Sequence, residues 1–383
     1  MVLPVAEDRR RLWSPQDPFL YDLAFELVDD DGNTLDSARS YAGLRSTSID
    51  GKAVLLNGKR VFQRLVLDQG YYPDGIMTAP SEEGLVRDIV LSMSAGFNGA
   101  RLHQKVFEER FLYHCDRLGY LVWGEFGDWG ANSEAASDNQ QHNISFVTQW
   151  LEVLERDFSH PSVVGWCPLN ETSQRQHDRI TVLDDATRAM FLATKAFDQT
   201  RPVLDASGYS HRVTETDVYD SHNYEQDPAK FRASMAGLAE GKPFINGAEP
   251  ELSHQGPWSL PYEGQPYFCS EFGGIWWNPD VRPEEDSWGY GERPKSLEGF
   301  STRFEGLVSV LLDNKDMFGY YYTQLTDVYQ EQNGIYRFDR SPKFDLERVR
   351  AAQTRPAAIE KVGAATHENE RPVSRGSQVA GTS

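Results

Sequence analysis

Two carboxylates draw attention by type and position. Residues 163–169 form a continuous apolar run, and Asn170 and Glu171 follow it directly. Such a run is expected of a parallel strand buried on both faces. Its C-terminal end is where α/β barrels place their chemistry. A second stretch, Pro266-Tyr267-Phe268-Cys269-Ser270-Glu271-Phe272-Gly273-Gly274, has the same form and ends in a carboxylate and a Gly turn. A lone Glu at a strand end is more often a structural acceptor. Two on neighbouring strand ends are the equipment for cleaving a glycosidic bond: one carboxyl protonated for the leaving oxygen, the other ionised.

To position two such ends the chain must build a barrel, and 383 residues suffice for one of about 250 residues with a smaller piece beside it. From residue 51 onward strand-like and helix-like stretches alternate. Leu85, Ile89 and Met93 share a helical face that Gly96 ends, and Phe107, Phe111, Cys115 and Leu118 share another that Gly119 ends. Further helices are expected over 143–158, 178–199, 228–239 and 295–313. Eight strand–helix units with right-handed crossovers give the expected fold class, an α/β (β/α)8 TIM barrel. Before it, residues 20–27 alternate apolar and polar, and an Asp- and Gly-containing turn leads to a second strand. The expected organisation is a partial immunoglobulin-like β-sandwich remnant over 1–50, the catalytic barrel over 51–354 and a disordered tail over 355–383. Two or three strands cannot bury a sheet face, so the chain reads as lacking the earlier strands of the sandwich.

A net charge of −20 and a pI near 4.9 argue against binding nucleic acid or anionic membranes. No apolar run approaches the roughly 18 residues that span a bilayer, and no signal-peptide pattern opens the chain, so a cytoplasmic location is expected. Cys115, Cys167 and Cys269 sit singly in apolar surroundings and read as buried thiols.

With both carboxylate stretches in view, the chain resembles glycoside hydrolase family 2, the group of β-galactosidases, β-glucuronidases and β-mannosidases, over about residues 12–350. Leu12-Trp13-Ser14-Pro15 and Tyr41-Ala42-Gly43-Leu44-Arg45 are similar to the end of that family's immunoglobulin-like domain. Leu56-Asn57-Gly58-Lys59 is similar to its barrel entry, and Phe97-Asn98-Gly99-Ala100-Arg101 and Cys115-Asp116-Arg117-Leu118-Gly119-Tyr120 to its second unit. His160-Pro161-Ser162-Val163 through Asn170-Glu171 matches the acid/base signature, and Ser270-Glu271-Phe272-Gly273 the nucleophile segment. The resemblance implies Glu171 as acid/base, Glu271 as nucleophile, Asn170 as partner of the sugar 2-hydroxyl and Tyr224 as hydrogen-bond partner of the nucleophile. A rim aromatic is an equal reading of Tyr224.

The departures bear on substrate. Gln104 stands where the family often has a His, after Arg101-Leu102-His103. The Asn-x-Lys element with which glucuronidases read a uronic acid falls near Glu331-Gln332-Asn333, where there is no Lys, and Tyr322 replaces the family's Trp on the eighth strand. Asp68, His103, Gln104 and Tyr322 are the further candidate sugar contacts. Among Trp129, Trp276, Trp277 and Trp288, the pair Trp276-Trp277 after the Gly-Gly turn is the expected stacking platform. The expectation is a retaining exo-β-glycosidase on a terminal neutral β-linked sugar, β-galactosidase-like, without cofactor or metal, and with homo-oligomer formation left open. Two alternatives remain: a catalytically weak carbohydrate-binding remnant, and a metal-dependent barrel hydrolase using His103, Glu125, Asp220 and His222. Against the second, the first strand ends Leu67-Asp68-Gln69 without a His pair.

Overall fold

The computed structural model describes residues 4–128, 144–176, 180–247, 257–280 and 286–361. The chain opens with an antiparallel hairpin of β1 (Tyr21–Val28) and β2 (Thr34–Ala42). A small antiparallel sheet follows, β3 (Thr47–Asp50), β4 (Ala53–Leu56) and β5 (Lys59–Arg60). Asn57 and Gly58, both at positive φ, make the two-residue turn between β4 and β5 that an Asn-Gly pair favours.

Seven parallel strands then curl into one sheet: β6 (Gln63–Asp68), β7 (Gly99–Leu102), β8 (Leu121–Glu125), β9 (Val163–Cys167), β10 (Tyr219–Asn223), β11 (Tyr267–Gly273) and β12 (Met317–Thr323). Pairing of β12 with β6 joins the last strand to the first. The gap between β9 and β10 is filled by the fifth unit, which is reduced to two parallel bridges, Trp166 with Val203 and Asn170 with Ser207. The fold is therefore a (β/α)8 barrel with a rudimentary fifth strand. Residues 205–218 carry no helix. They form a loop whose buried His211 lies 2.8 Å from Asp205 and 3.1 Å from Asp220.

The helices lie where periodicity placed them: α1 (Glu82–Ser94), α2 (Glu109–Leu118), α3 (Ile144–Asp157), α4 (Val182–Phe197), α5 (Pro228–Met235) and α6 (Leu297–Leu312). Ser81 caps α1 through the Gly84 N–H, and Thr181 caps α4 in a reciprocal capping box with Asp184. On α1 the buried face is Leu85, Asp88, Ile89 and Ser92, while Met93 is exposed. All three cysteines are buried and free. Residues 355–361, assigned to the tail from composition, instead pack on the barrel. After α7 (Glu347–Thr354) comes α8 (Ala358–Lys361), and its Glu360 accepts from the Arg64 guanidinium at 2.7 Å. Residues 362–383 lie outside the described residues.

Candidate active site

Strands β6, β7, β9, β10, β11 and β12 and their C-terminal loops contribute to a cleft of about 390 Å³. Its lining includes Gln69, His103, Gln104, Glu171, Tyr224, Glu271, Trp288, Tyr290, Thr323 and Glu331. Glu171 follows β9, its N–H bonded to the Ser207 carbonyl of the rudimentary strand. Its φ of 50° is unusual for a residue with a Cβ, a conformation retained only where surroundings hold it. Glu271 lies within β11 and is 3 % exposed.

Behind the cleft Arg101 from β7 organises the carboxylates. Its guanidinium donates to Glu271 Oε1 at 2.9 Å and, in short contacts, to Glu125 and the Asn170 side-chain carbonyl. A buried guanidinium is tolerated only with its donors matched to acceptors. Burial pushes the Glu125 carboxyl up, but the Arg101 charge together with the charge of His103 and the hydrogen bonds from both residues outweighs this and holds it below its ordinary value. Tyr224 donates to Glu271 Oε2 at 2.5 Å and stacks on Tyr290 with ring centroids 3.4 Å apart.

His222, on β10, stands between the two glutamates, its Nδ1 2.8 Å from Glu171 Oε1 and 3.4 Å from Glu271 Oε2. On its far side Nε2 lies 2.9 Å from Ser207 Oγ, and that hydroxyl donates to Asp220 Oδ2 at 2.9 Å. A hydroxyl has one proton, so Ser207 spends it on Asp220 and accepts from the imidazole Nε2–H. Nδ1 faces the carboxylates of Glu171 and Glu271, a setting that favours a proton on this nitrogen as well. Its pKa is accordingly raised: burial lowers it, and the Glu271 charge, the hydrogen bond with Glu171 and the charges of Glu171 and Asp220 together outweigh burial. Conversely, burial raises the Glu171 pKa, while the hydrogen bond and charge of His222 pull it below the usual range.

The structure brings Glu171, Glu271, Tyr224, His103 and Gln104 to one cleft. His103 Nδ1 lies 3.5 Å from Glu125 and 3.8 Å from Glu271. Asn170 is fully buried behind Glu171, and its Nδ2 has no hydrogen-bond partner among the described residues. Other candidates do not line the cleft. Asp68 is buried, bonded to the Gly70 N–H, its pKa pushed up to about 6 by burial and the charge of Asp88. Tyr322 points out of the barrel against Phe97, Phe272 and Phe304, because strand alternation gives the cleft to Thr323 instead. Trp277 packs beside Phe300, and Trp276 sits against Gly289. The aromatic walls of the cleft are Trp288, Tyr290, Tyr71 and Tyr329. Trp129 lies outside the described residues. Sequence alone does not single out Arg101 or Glu331 as site residues, and it suggests His222 only as a metal ligand. Arg101 and His222 act through partners on other strands, which no local pattern announces.

The four residues of the metal reading do not converge. Glu171, His222 and Glu271 do, each offering a ligand atom within 4.8 Å of the others. The imidazole edge that faces this group is hydrogen-bonded to Glu171 at 2.8 Å.

Comparison with known proteins agrees with this architecture. Residues 48–249 match the model of the TIM barrel domain of glycosyl hydrolases family 2, and residues 3–45 match a second model of glycosyl hydrolases family 2. A β-galactosidase of Vibrio vulnificus is 29 % identical over 216 residues, 54 % of this chain and 19 % of that protein. One from Pseudoalteromonas haloplanktis is 26 % identical over 357 residues, 89 % of this chain and 31 % of its own. The chain thus spans less than a third of the length of these relatives. Among solved structures, a Bifidobacterium dentium β-glucuronidase in complex with coumarin-3-O-glucuronide superposes with a TM-score of 0.72 at 20 % identity, covering 92 % of this chain and 56 % of that one. A β-galacturonidase from Eisenbergiella tayi bound to galacturonate gives 0.68 at 21 %, covering 90 % and 59 %. The barrel match exceeds half the sequence and includes the strand that carries Glu171 to the cleft, and on that ground the chain belongs to glycosyl hydrolases family 2.

Proposed function

We propose that this chain is a retaining β-glycosidase that removes a terminal neutral sugar, β-galactosidase-like, with Glu271 as nucleophile and Glu171 as acid/base. One observation carries the reading: carboxylate oxygens of both glutamates lie with His222 Nδ1 inside a 4.8 Å group in one cleft. Retaining enzymes keep their carboxyl groups about 5–5.5 Å apart, whereas inverting ones leave about 6.5–9.5 Å for a water. Glu271, ionised and oriented by Arg101 and Tyr224, attacks the anomeric carbon. The Glu171–His222 pair supplies the proton for the departing oxygen. Sugar binding covers Glu171 and removes water from it, which favours transfer of the imidazolium proton to the carboxylate and on to the leaving group. In the second step Glu171 takes a proton from the water that releases the sugar.

A panel of nitrophenyl β-glycosides, followed by NMR of the first-formed anomer, tests this. Hydrolysis of neutral glycosides with net retention is expected. Inversion, or turnover abolished by EDTA, would sink the assignment, and no turnover on any glycoside would favour a binding role.

A further inference from the structure

The cleft contains a third carboxylate that the two-step chemistry does not use. Glu331 sits on the hairpin-like loop after β12, where Val328 and Glu331 exchange backbone hydrogen bonds across a two-residue turn. Beneath it, the Asp327 carboxylate is tied to Lys343 at 2.6 Å and to the Gly334 N–H at 3.0 Å, which fixes the loop. The Glu331 carboxylate therefore enters the cleft from a rigid support.

Its partners are all amides. Asn333 Nδ2 donates to Oε1 at 3.1 Å and Gln69 Nε2 to Oε2 at 3.2 Å. The same Gln69 amide donates to the Gln324 side-chain carbonyl at 2.8 Å, and Gln324 donates to Asn333 Oδ1 at 2.8 Å. The four side chains form a closed ring in which each amide carbonyl but that of Gln69 has a donor and Glu331 only accepts. Among the described residues no Lys or Arg pairs with Glu331, and none lines the cleft, which carries Glu171, Glu271 and Glu331. Burial raises the Glu331 pKa and the bonds from Asn333 and Gln69 pull it back, as in a carboxylate short of donors. A carboxylate accepts about four hydrogen bonds, and the ring supplies one to each oxygen.

We propose that Glu331, held by Gln69, Gln324 and Asn333, is the specificity-determining residue of the cleft, accepting hydrogen bonds from two hydroxyls of the terminal sugar and excluding sugars that carry a carboxylate there. The proposal deepens, and rests on, the glycosidase reading of the same cleft. It runs against the substrates named for the fold neighbours, a glucuronide and galacturonate, which share this barrel at 20–21 % identity. Discrimination by one buried carboxylate is asymmetric. The neutral sugar completes its hydrogen bonds, while a uronic acid places a like charge beside it in a site of lowered dielectric.

The test has two arms. Hydrolysis of matched nitrophenyl β-galactoside and β-galacturonide, and of the glucoside and glucuronide, is measured for wild type, Glu331→Gln and Glu331→Lys. Wild type should prefer the neutral member by roughly 100-fold or more in kcat/KM. The ratio should fall by about 10-fold in Glu331→Gln and further in Glu331→Lys. A purely structural role would lower all activities together and leave the ratio unchanged, which overturns the proposal. The second arm titrates galactose against galacturonate, and glucose against glucuronate, calorimetrically. It separates the two readings: neutral sugars bound in preference, with that preference lost in Glu331→Lys, support Glu331 even if no glycoside is cleaved. Equal or preferred binding of the uronates, or binding of none of the four, overturns it, whether or not neutral glycosides are hydrolysed.

Discussion

At the scale of single residues, His222 decides where the protons lie. Its Nε2 is committed to Ser207, so the ring keeps the Nδ1 proton for Glu171, and the pair loses that proton only above the ordinary imidazole range. Activity should therefore persist into mildly alkaline solution. In His222→Gln the proton must reside on Glu171 alone, and the basic limb of kcat/KM against pH should move to lower pH. An unmoved basic limb would show that the imidazole does not share the proton. Glu271→Gln should reduce turnover by roughly 10⁴-fold or more on every substrate, as loss of a nucleophile does. Glu171→Gln should spare the first step for dinitrophenyl glycosides, whose leaving group needs little protonation, and azide should rescue the second. Equal loss on good and poor leaving groups, without azide rescue, would remove Glu171 from the acid/base role. Both glutamates were legible because each ends an apolar run. His222 and Arg101 were not, since their importance lies in distances of about 3 Å to residues 51 and 170 positions away.

Elements explain how such distances are set. The rudimentary fifth strand lets the backbone at Ser207 and Gly208 approach the imidazole, and a Cβ on Gly208 would meet the ring at 2.8 Å. Gly208 also has a φ of +84°, which an L side chain rarely adopts. Gly208→Ala should displace His222 and lower kcat by about 10-fold or more, since misplacements near 1 Å cost roughly 10²-fold. A variant with wild-type kcat would show that the ring has room to move. Below this point His211, between Asp205 and Asp220, has its pKa raised to about 10: burial lowers it, and the Asp205 charge and both hydrogen bonds more than compensate. A raised cation stabilises the fold fully below its unfolded value, near 6.5, and progressively less as pH climbs through about 10. Thermal denaturation should thus show Tm falling more between pH 6.5 and 10 in the wild type than in His211→Asn. Parallel curves would mean that the imidazolium adds nothing. Strand and helix periods were readable because they repeat. The missing fifth helix was not, because buried polar pairs replace an apolar face there. The outward turn of Tyr322 depends on register, which composition does not reveal.

Across the whole molecule, the hairpin β1–β2 is fastened to the barrel, among the described residues, by hydrogen bonds at one end. Tyr41 donates to Asp116 at 2.7 Å, and Arg45 donates to the Pro161 carbonyl at 3.1 Å and the Val163 carbonyl at 2.6 Å, beside the strand that leads to Glu171. Leu23, half-buried near the fastened end, shares a face with Phe25 and Leu27, which run towards the other end 37 % and 61 % exposed. An apolar face on a two-stranded sheet with open edges favours association. The net charge of −20 opposes it by long-range repulsion. Salt decides between these terms, since screening shortens the reach of the charge from about 30 Å at 0.01 M to about 3 Å at 1 M and leaves apolar contact in place. Light scattering should therefore find the isolated chain closest to monomeric at low ionic strength, with larger species as salt is added. Phe25→Ser with Leu27→Lys should abolish that growth and leave kcat/KM unchanged, because the hairpin contributes nothing to the lining of the cleft. A wild-type chain that stays monodisperse across the salt series would show that the exposed face is too small or too interrupted by Ala38 and Ser40 to hold two copies together.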